Sequence, residues 1–272
     1  MKNRWLTGVA AAALTVAGAV AAQAADLPTR KEAPAPVYIP PPFTWTGFYV
    51  GANIGGIWKN GNNTGSLVVP GTFIFLQGDL PNGGNSGNSG VIGGGQAGYN
   101  WQTGMFVLGV ETDFQGTSVS RSVDRIGPTF LFPNGQTDFL SVHAKASLDW
   151  LGTTRARVGF VATPDNRLMF YGTGGVAYAG GSSNFTVFDN LGGVWTGSPS
   201  SSRTGWTLGA GVEYAITYNW TLKAEYLYVD LGSKTITTAA NAFAALNFPG
   251  VYATAKFNYD ASIFRVGVNY KF

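Results

Sequence analysis

From Thr46 to Phe272 the hydrophobic pattern repeats every two residues, and a helical period is nowhere sustained. A strand turns successive side chains to opposite faces, so this pattern commits the chain to β structure with one apolar and one polar face. The final segment, "ASIFRVGVNYKF", is a clear case. Phe264, Val266, Val268, Tyr270 and Phe272 alternate with Arg265, Gly267, Asn269 and Lys271. Seven further segments share the period: 46–58, 90–102, 104–114, 147–160, 167–180, 205–216 and 220–229. In 205–216, Trp206, Leu208, Ala210, Val212, Tyr214 and Ile216 oppose Thr207, Gly209, Gly211 and Glu213. The segment 167–180 is less ordered, with apolar residues or glycine on both faces.

Connection lengths alternate. Short polar turns fall at 102–104 ("QTG"), 163–166 ("TPDN") and 217–219 ("TYN"), as hairpins require. Long segments fall near 59–89, 115–146, 181–204 and 231–259. Beyond residue 24 no run of about 18 apolar residues remains, so a membrane-spanning helix is excluded and only a closed barrel satisfies its backbone in lipid. The layout predicts an all-β fold, an eight-stranded antiparallel up-and-down transmembrane β-barrel with long loops outside and both termini in the periplasm. Apolar islands at 66–77 or 135–146 give a ten-stranded alternative. Those at 72–76 ("TFIFL"), 129–132 ("TFLF") and 242–248 ("AFAALNF") are expected to extend the hairpins structurally, with a binding surface as the alternative.

Volume decides which face looks inward. Eight strands enclose room for side chains or one small ligand, and several Trp, Phe and Tyr residues per hairpin would overfill it. The aromatic face therefore meets lipid, and Gly, Thr, Ser, Asn and a few charges fill the lumen. Trp58, Trp101, Trp150, Phe160, Trp206, Trp220, Tyr228, Tyr270 and Phe272 stand near segment ends, where girdles at the two headgroup levels are expected. On the inward phase lie four acids, Glu111, Asp113, Glu213 and Glu225, and four bases, Arg155, Arg157, Lys223 and Arg265. All are three to nine residues from the nearest short turn or terminus, hence in one broad layer at ~3.3 Å per residue. Buried charges must be paired, so the expectation is an ion-pair plug, with a selectivity ring in a small diffusion channel as the alternative.

The first 24 residues read as an export signal: Lys2 and Arg4, an apolar run from Leu6 to Ala22, then "AQA" at 22–24. Removing them takes two of 17 basic residues and leaves 15 against 14 acidic, a balance that argues against a nucleic-acid partner. Residues 25–45 hold six of the 13 prolines and read as a periplasmic tether, with the barrel at 46–272. There is no cysteine, so an exported chain of this kind has neither disulfides nor thiolate chemistry. Charged residues make up 11% and aromatics 14%, unlike the surface of a soluble secreted protein.

No motif points to catalysis, a cofactor or a metal. "GGGQAG" (93–98) matches G-x-G-x-x-G, but it lies inside a strand with no helix following. His143 is the one histidine, and with Ser141 nearby it makes only a weak nucleophile–base pair. The chain is therefore read as a non-enzyme without cofactors.

The segments "WTGFYVGANIGG", "LDWLGTTRARVGF", "LMFYGTGGVAYA", "EYLYVDLG" and "FRVGVNYKF", in this order, resemble the small outer-membrane surface-antigen barrels of alphaproteobacteria, which are related to OmpA-like transmembrane domains. The resemblance implies an abundant antigenic envelope protein that stabilises the outer membrane, with porin-like activity sometimes attributed. Its expected partners are outer-membrane lipids, including lipopolysaccharide, and the barrel-assembly machinery. The latter would read Phe264, Val266, Val268, Tyr270 and Phe272 as the closing-strand signal. The long loops take no part in the resemblance, so no loop-borne binding activity of a relative carries over; surface binding or adhesion by this chain's own loops is a further alternative.

Overall fold

A computed structural model describes residues 42–60, 64–68, 79–80, 89–131, 135–198 and 200–272, all within the unit Pro42–Phe272. The export signal at 1–24, the tether up to residue 41 and the island at 72–76 lie outside the described residues. The strands are β1 (Gly47–Lys59), β2 (Thr64–Val68), β3 (Asp79–Leu80), β4 (Ser89–Thr103), β5 (Phe106–Leu131), β6 (Thr137–Val161), β7 (Leu168–Asp189), β8 (Val194–Gly197), β9 (Ser200–Ala215), β10 (Trp220–Thr237), β11 (Ala239–Ala240) and β12 (Tyr252–Lys271). One short helix, α1 (Ala242–Asn247), precedes β12.

Eight of these strands form a closed antiparallel ring in the order β1-β4-β5-β6-β7-β9-β10-β12, and β12 returns to β1. The closing ladder runs from Tyr49 opposite Lys271 to Lys59 opposite Ala261, so the ring has no free edge. Tight turns join strands at one end. Gly104 (φ 60°) and Asn166 (φ 59°) take the left-handed conformation that these reversals need and that Gly and Asn tolerate. Thr163 Oγ1 accepts from the amides of Arg167 and Leu168 and fixes the β6–β7 turn.

At the other end the structure revises the expected loops. The stretches 115–146, 181–204 and 231–259 are largely strand, because alternation persists beyond the aromatic belt and the hairpins simply continue. Residues 137–146 belong to β6; of the other island, 66–68 belong to β2, which pairs with residues 252–256 of β12, and 69–77 lie outside the described residues, so the closed ring counts eight strands among the described residues. "AFAALNF" supplies α1 rather than a strand: Asn241 accepts from the Ala244 amide at 2.8 Å and caps a run of good helix formers.

The two faces differ as volume requires. Phe48, Ile54, Trp101, Phe106 and Phe114 stand out from the ring exposed, at 60–67% of their maximal area, whereas Arg155, Lys223 and Arg265 point inward and are buried to 1% or less. Aromatics form one belt near the turn end, where Phe106 meets Phe160 and Trp220 meets Tyr270. A second lies further up, where Phe114 stacks on Trp150 and Trp206 meets Tyr228.

The lumen is stratified. At the turn end Phe43 and Trp45 pack with Val107, Val161, Met169 and Ala215 into an apolar floor. Above it lies the charged layer, then an apolar layer of Ile57, Ile92, Leu151, Leu227 and Ile263. At the loop end Val142, Phe185, Val187, Trp195 and Phe257 pack with Ala244 of α1 as a cap. The expectation of a lumen lined only by small and polar residues thus fails for two levels. The inward phase of the same strands turns apolar on both sides of the charges.

Candidate functional site

The eight charged residues come from five strands, β5, β6, β9, β10 and β12, and three of the ladders between them bring opposite signs together. Glu111 of β5 lies opposite Arg155 of β6, Glu213 of β9 opposite Lys223 of β10, and Glu225 of β10 opposite Arg265 of β12. Their side chains then reach across the lumen. Arg155 donates to Glu111 (2.5 Å), Asp113 (2.9 Å) and Glu225 (2.9 Å). Arg265 reaches Asp113 at 2.9 Å and Glu225 at 2.6 Å. Lys223 Nζ bonds both oxygens of Glu111, at 2.8 and 2.9 Å, rather than its ladder partner Glu213. Arg157 takes Glu213 instead, at 2.7 Å. Four positive and four negative groups, all with side chains no more than 3% exposed, thus form one network. In so dry a place pairing is what makes the charges tolerable.

Neutral groups complete it. The Tyr49 hydroxyl donates to Glu111 (2.8 Å) and accepts from Arg157 (2.9 Å). Tyr171 donates to Glu225 at 3.1 Å while its ring lies 4.0 Å from the Arg157 guanidinium, so one residue meets both signs. Thr153 donates to Asp113, and Thr221 and Asn269 donate to Glu213. Asn269 continues through Gln96 to Asn53 as a chain of amides. Tyr49, Asn53, Gln96, Thr153 and Asn269 all lie on the inward phase of their strands, and period-two alternation alone gives them no role. A signal for the tyrosines lies in the glycines beside them. A Cβ at Gly98 would fall 2.4 Å from the Tyr49 hydroxyl, and one at Gly211 would fall 2.5 Å from that of Tyr171. Gly98 closes the "GGGQAG" motif, whose place within β4 gives it a packing role.

His143 lies apart from the network, on the loop-side extension of β6. It is exposed, contacts the Asp124 carboxylate of β5 and stacks on Phe188 with ring centroids 4.9 Å apart. Ser141 is buried on the same strand. Among the described residues no group of three or more His, Cys, Asp or Glu side chains has metal-binding geometry.

The closing strand exposes Phe264, Val266, Val268 and Phe272, while Tyr270 packs between Trp220 (5.1 Å) and Phe272 (5.2 Å). Below it the chain before β1 is tied down. Trp45 donates its amide to Gln102 (2.8 Å) and its indole N–H to the Asn166 carbonyl (2.9 Å). Lys271 Nζ donates to the Thr44 carbonyl at 2.7 Å. The barrel therefore begins to pack at Phe43, inside the stretch read as tether.

A ring with an apolar aromatic outer wall, no edge and its charges turned inward is built for lipid outside and for its own polar groups within, which is the design of an outer-membrane β-barrel. The chain belongs to the outer membrane protein beta-barrel domain family, whose model matches residues 10–272, and it is an outer-membrane protein. It is 38% identical to the 31 kDa outer-membrane immunogenic protein of Brucella melitensis, over 98% of this chain and 100% of that one. It is 29% identical to the 22 kDa outer membrane protein of Rhizobium leguminosarum bv. viciae, over 86% and 81% of the two chains. Among solved structures it resembles the outer membrane protein OprG from Pseudomonas aeruginosa at 13% identity and a TM-score of 0.45, covering 84% of this chain and 96% of that one.

Proposed function

We propose that this protein is a structural, non-enzymatic barrel that contributes to envelope integrity, with a lumen plugged by its ion pairs and its loop-side hairpins presented at the cell surface. The observation that carries this reading is the stacking of three filled levels: the floor at Phe43 and Trp45, the matched charges, and the Ile/Leu layer. An ion crossing such a lumen would have to displace all three. The immunogenic proteins to which the chain is similar favour surface exposure of the loop end. In this reading an N-terminal export signal is removed, the tether and the turn end face the periplasm, and the outer wall is solvated by membrane lipids including lipopolysaccharide. The assembly machinery reads the aromatic alternation of β12. The one histidine is engaged by Asp124 and Phe188, which favours a structural role.

Planar-bilayer recording on the purified, refolded protein tests the plug. The expected result is a silent bilayer; reproducible open channels whose ion selectivity changes in Arg157→Glu would establish the small diffusion channel instead. A strain lacking the protein is expected to be more sensitive to detergent, and unchanged sensitivity would remove the integrity role.

A further inference from the structure

Above the Ile/Leu layer, and beneath the cap, the inward side chains change character again. A cavity of about 50 Å³ opens there, floored by Val119, Ala179 and Ala261 and walled by Lys59, Arg203 and Tyr259. By the space one water needs, this volume takes several waters or one tetrahedral oxyanion, and nothing the size of a sugar. The guanidinium of Arg203 lies over the ring of Tyr259, its carbon 3.3 Å from the ring centroid, and Lys59 Nζ stands 5.0 Å from the same centroid. Two cations therefore attend one aromatic ring.

Arg203 breaks the rule kept by the charged layer below. Arg203 is half-buried and has no carboxylate partner among the described residues. The acid nearest in sequence to Tyr259 is Asp260, which also borders the chamber. Strand alternation turns its carboxylate to the outer face, where it lies opposite Asp230 in the β10–β12 ladder. The Tyr259 hydroxyl is buried and has no hydrogen-bond partner among the described residues. A half-buried guanidinium without a counter-charge and a buried hydroxyl without a partner both carry a cost that an anion accepting from each would remove.

We propose that this chamber is a binding site for one inorganic tetrahedral oxyanion, phosphate or sulfate, held by Arg203 and Lys59 with the Tyr259 hydroxyl as a neutral donor. The guanidinium supplies parallel donors suited to two oxygens of such a group, and the ammonium supplies a point charge. The site lies on the loop side of the Ile/Leu layer, so it holds whether or not the lumen below conducts.

Calorimetric titration of the full-length folded protein, in a zwitterionic detergent at fixed ionic strength, tests the site with inorganic phosphate. Saturable binding is expected, displaced by sulfate and not by chloride. Arg203→Ala should weaken it at least tenfold, and Lys256→Ala, which removes an exposed cation of β12, should leave it unchanged. Tyr259→Phe keeps the ring and removes only the unpartnered hydroxyl, so it should fold as the parent does and weaken binding several-fold. A heat-dependent gel shift reports that each variant is folded. The site is refuted by a wild-type protein without saturable phosphate binding, by displacement with chloride, or by equal losses in Arg203→Ala and Lys256→Ala. Unchanged affinity in Tyr259→Phe refutes the assignment as well.

Discussion

The charged layer and the Ile/Leu layer fill successive levels of one ring and are buried alike, yet they are held by different physics. In the charged layer each group is tolerated because of particular partners at particular distances, as when Arg155 serves three carboxylates at once. In the layer above, Ile57, Ile92, Leu151, Leu227 and Ile263 need only fill space without clashing. The difference teaches that the ionic level specifies a single arrangement of the strands, whereas the apolar level contributes burial without direction. Substitution should be punished accordingly, steeply below and gently above.

The sharpest test is Arg155→Met. It keeps most of the side-chain volume and leaves Glu111, Asp113 and Glu225 sharing one cation fewer. Removing one partner from a buried network costs about 3–5 kcal/mol. The urea midpoint of the protein in lipid vesicles should fall by the equivalent amount. Adding Glu111→Gln should recover part of the loss by restoring charge balance. A midpoint that does not move in Arg155→Met would end the claim that pairing holds this level together.

A second test asks whether the neutral groups belong to the same arrangement. Tyr49→Phe removes one hydroxyl that donates to Glu111 and accepts from Arg157, and leaves the ring in the space that Gly98 provides. Hydrogen bonds to charged groups are worth about 1.5–3 kcal/mol, so a loss in that range is expected from the same unfolding measurement. A neutral effect would make Tyr49 a spacer rather than a member of the network.

Much of this was legible in the residues because barrels leave a period-two record. The alternation from Phe264 to Phe272, and the inward phase shared by Glu111, Arg155, Glu213 and Glu225, follow from strand geometry alone. Three things were not legible. Lys223 faces Glu213 in the ladder but bonds Glu111 across the lumen, and no single-strand pattern encodes which residues meet across a closed ring. Phe43 and Trp45 sit in a proline-rich stretch whose composition reads as extended chain, and only the floor beneath the lumen gives them a place to bury. The third is the Ile/Leu layer. Leu227 and Val229 follow the inward Lys223 and Glu225 on the same phase of β10, but an apolar residue on the polar face reads as noise unless the height of every strand is known.

That layer supplies the mildest prediction. Ile57 lies directly opposite Ile263 across the β1–β12 seam, and both are buried to 1% or less. Ile57→Val removes one methylene group where the neighbours are apolar and without directional bonds, so the cost is the lost transfer energy plus a small cavity term. Such changes cost about 0.5–1.5 kcal/mol. Unfolding of Ile57→Val in the same vesicles should therefore show a loss smaller than that of Tyr49→Phe, although the isoleucine sits at the seam where the ring closes. If Ile57→Val instead proves the more damaging of the two, position at the seam outweighs the kind of interaction. The contrast between a directional level and a space-filling one would then give way to a contrast between seam and wall.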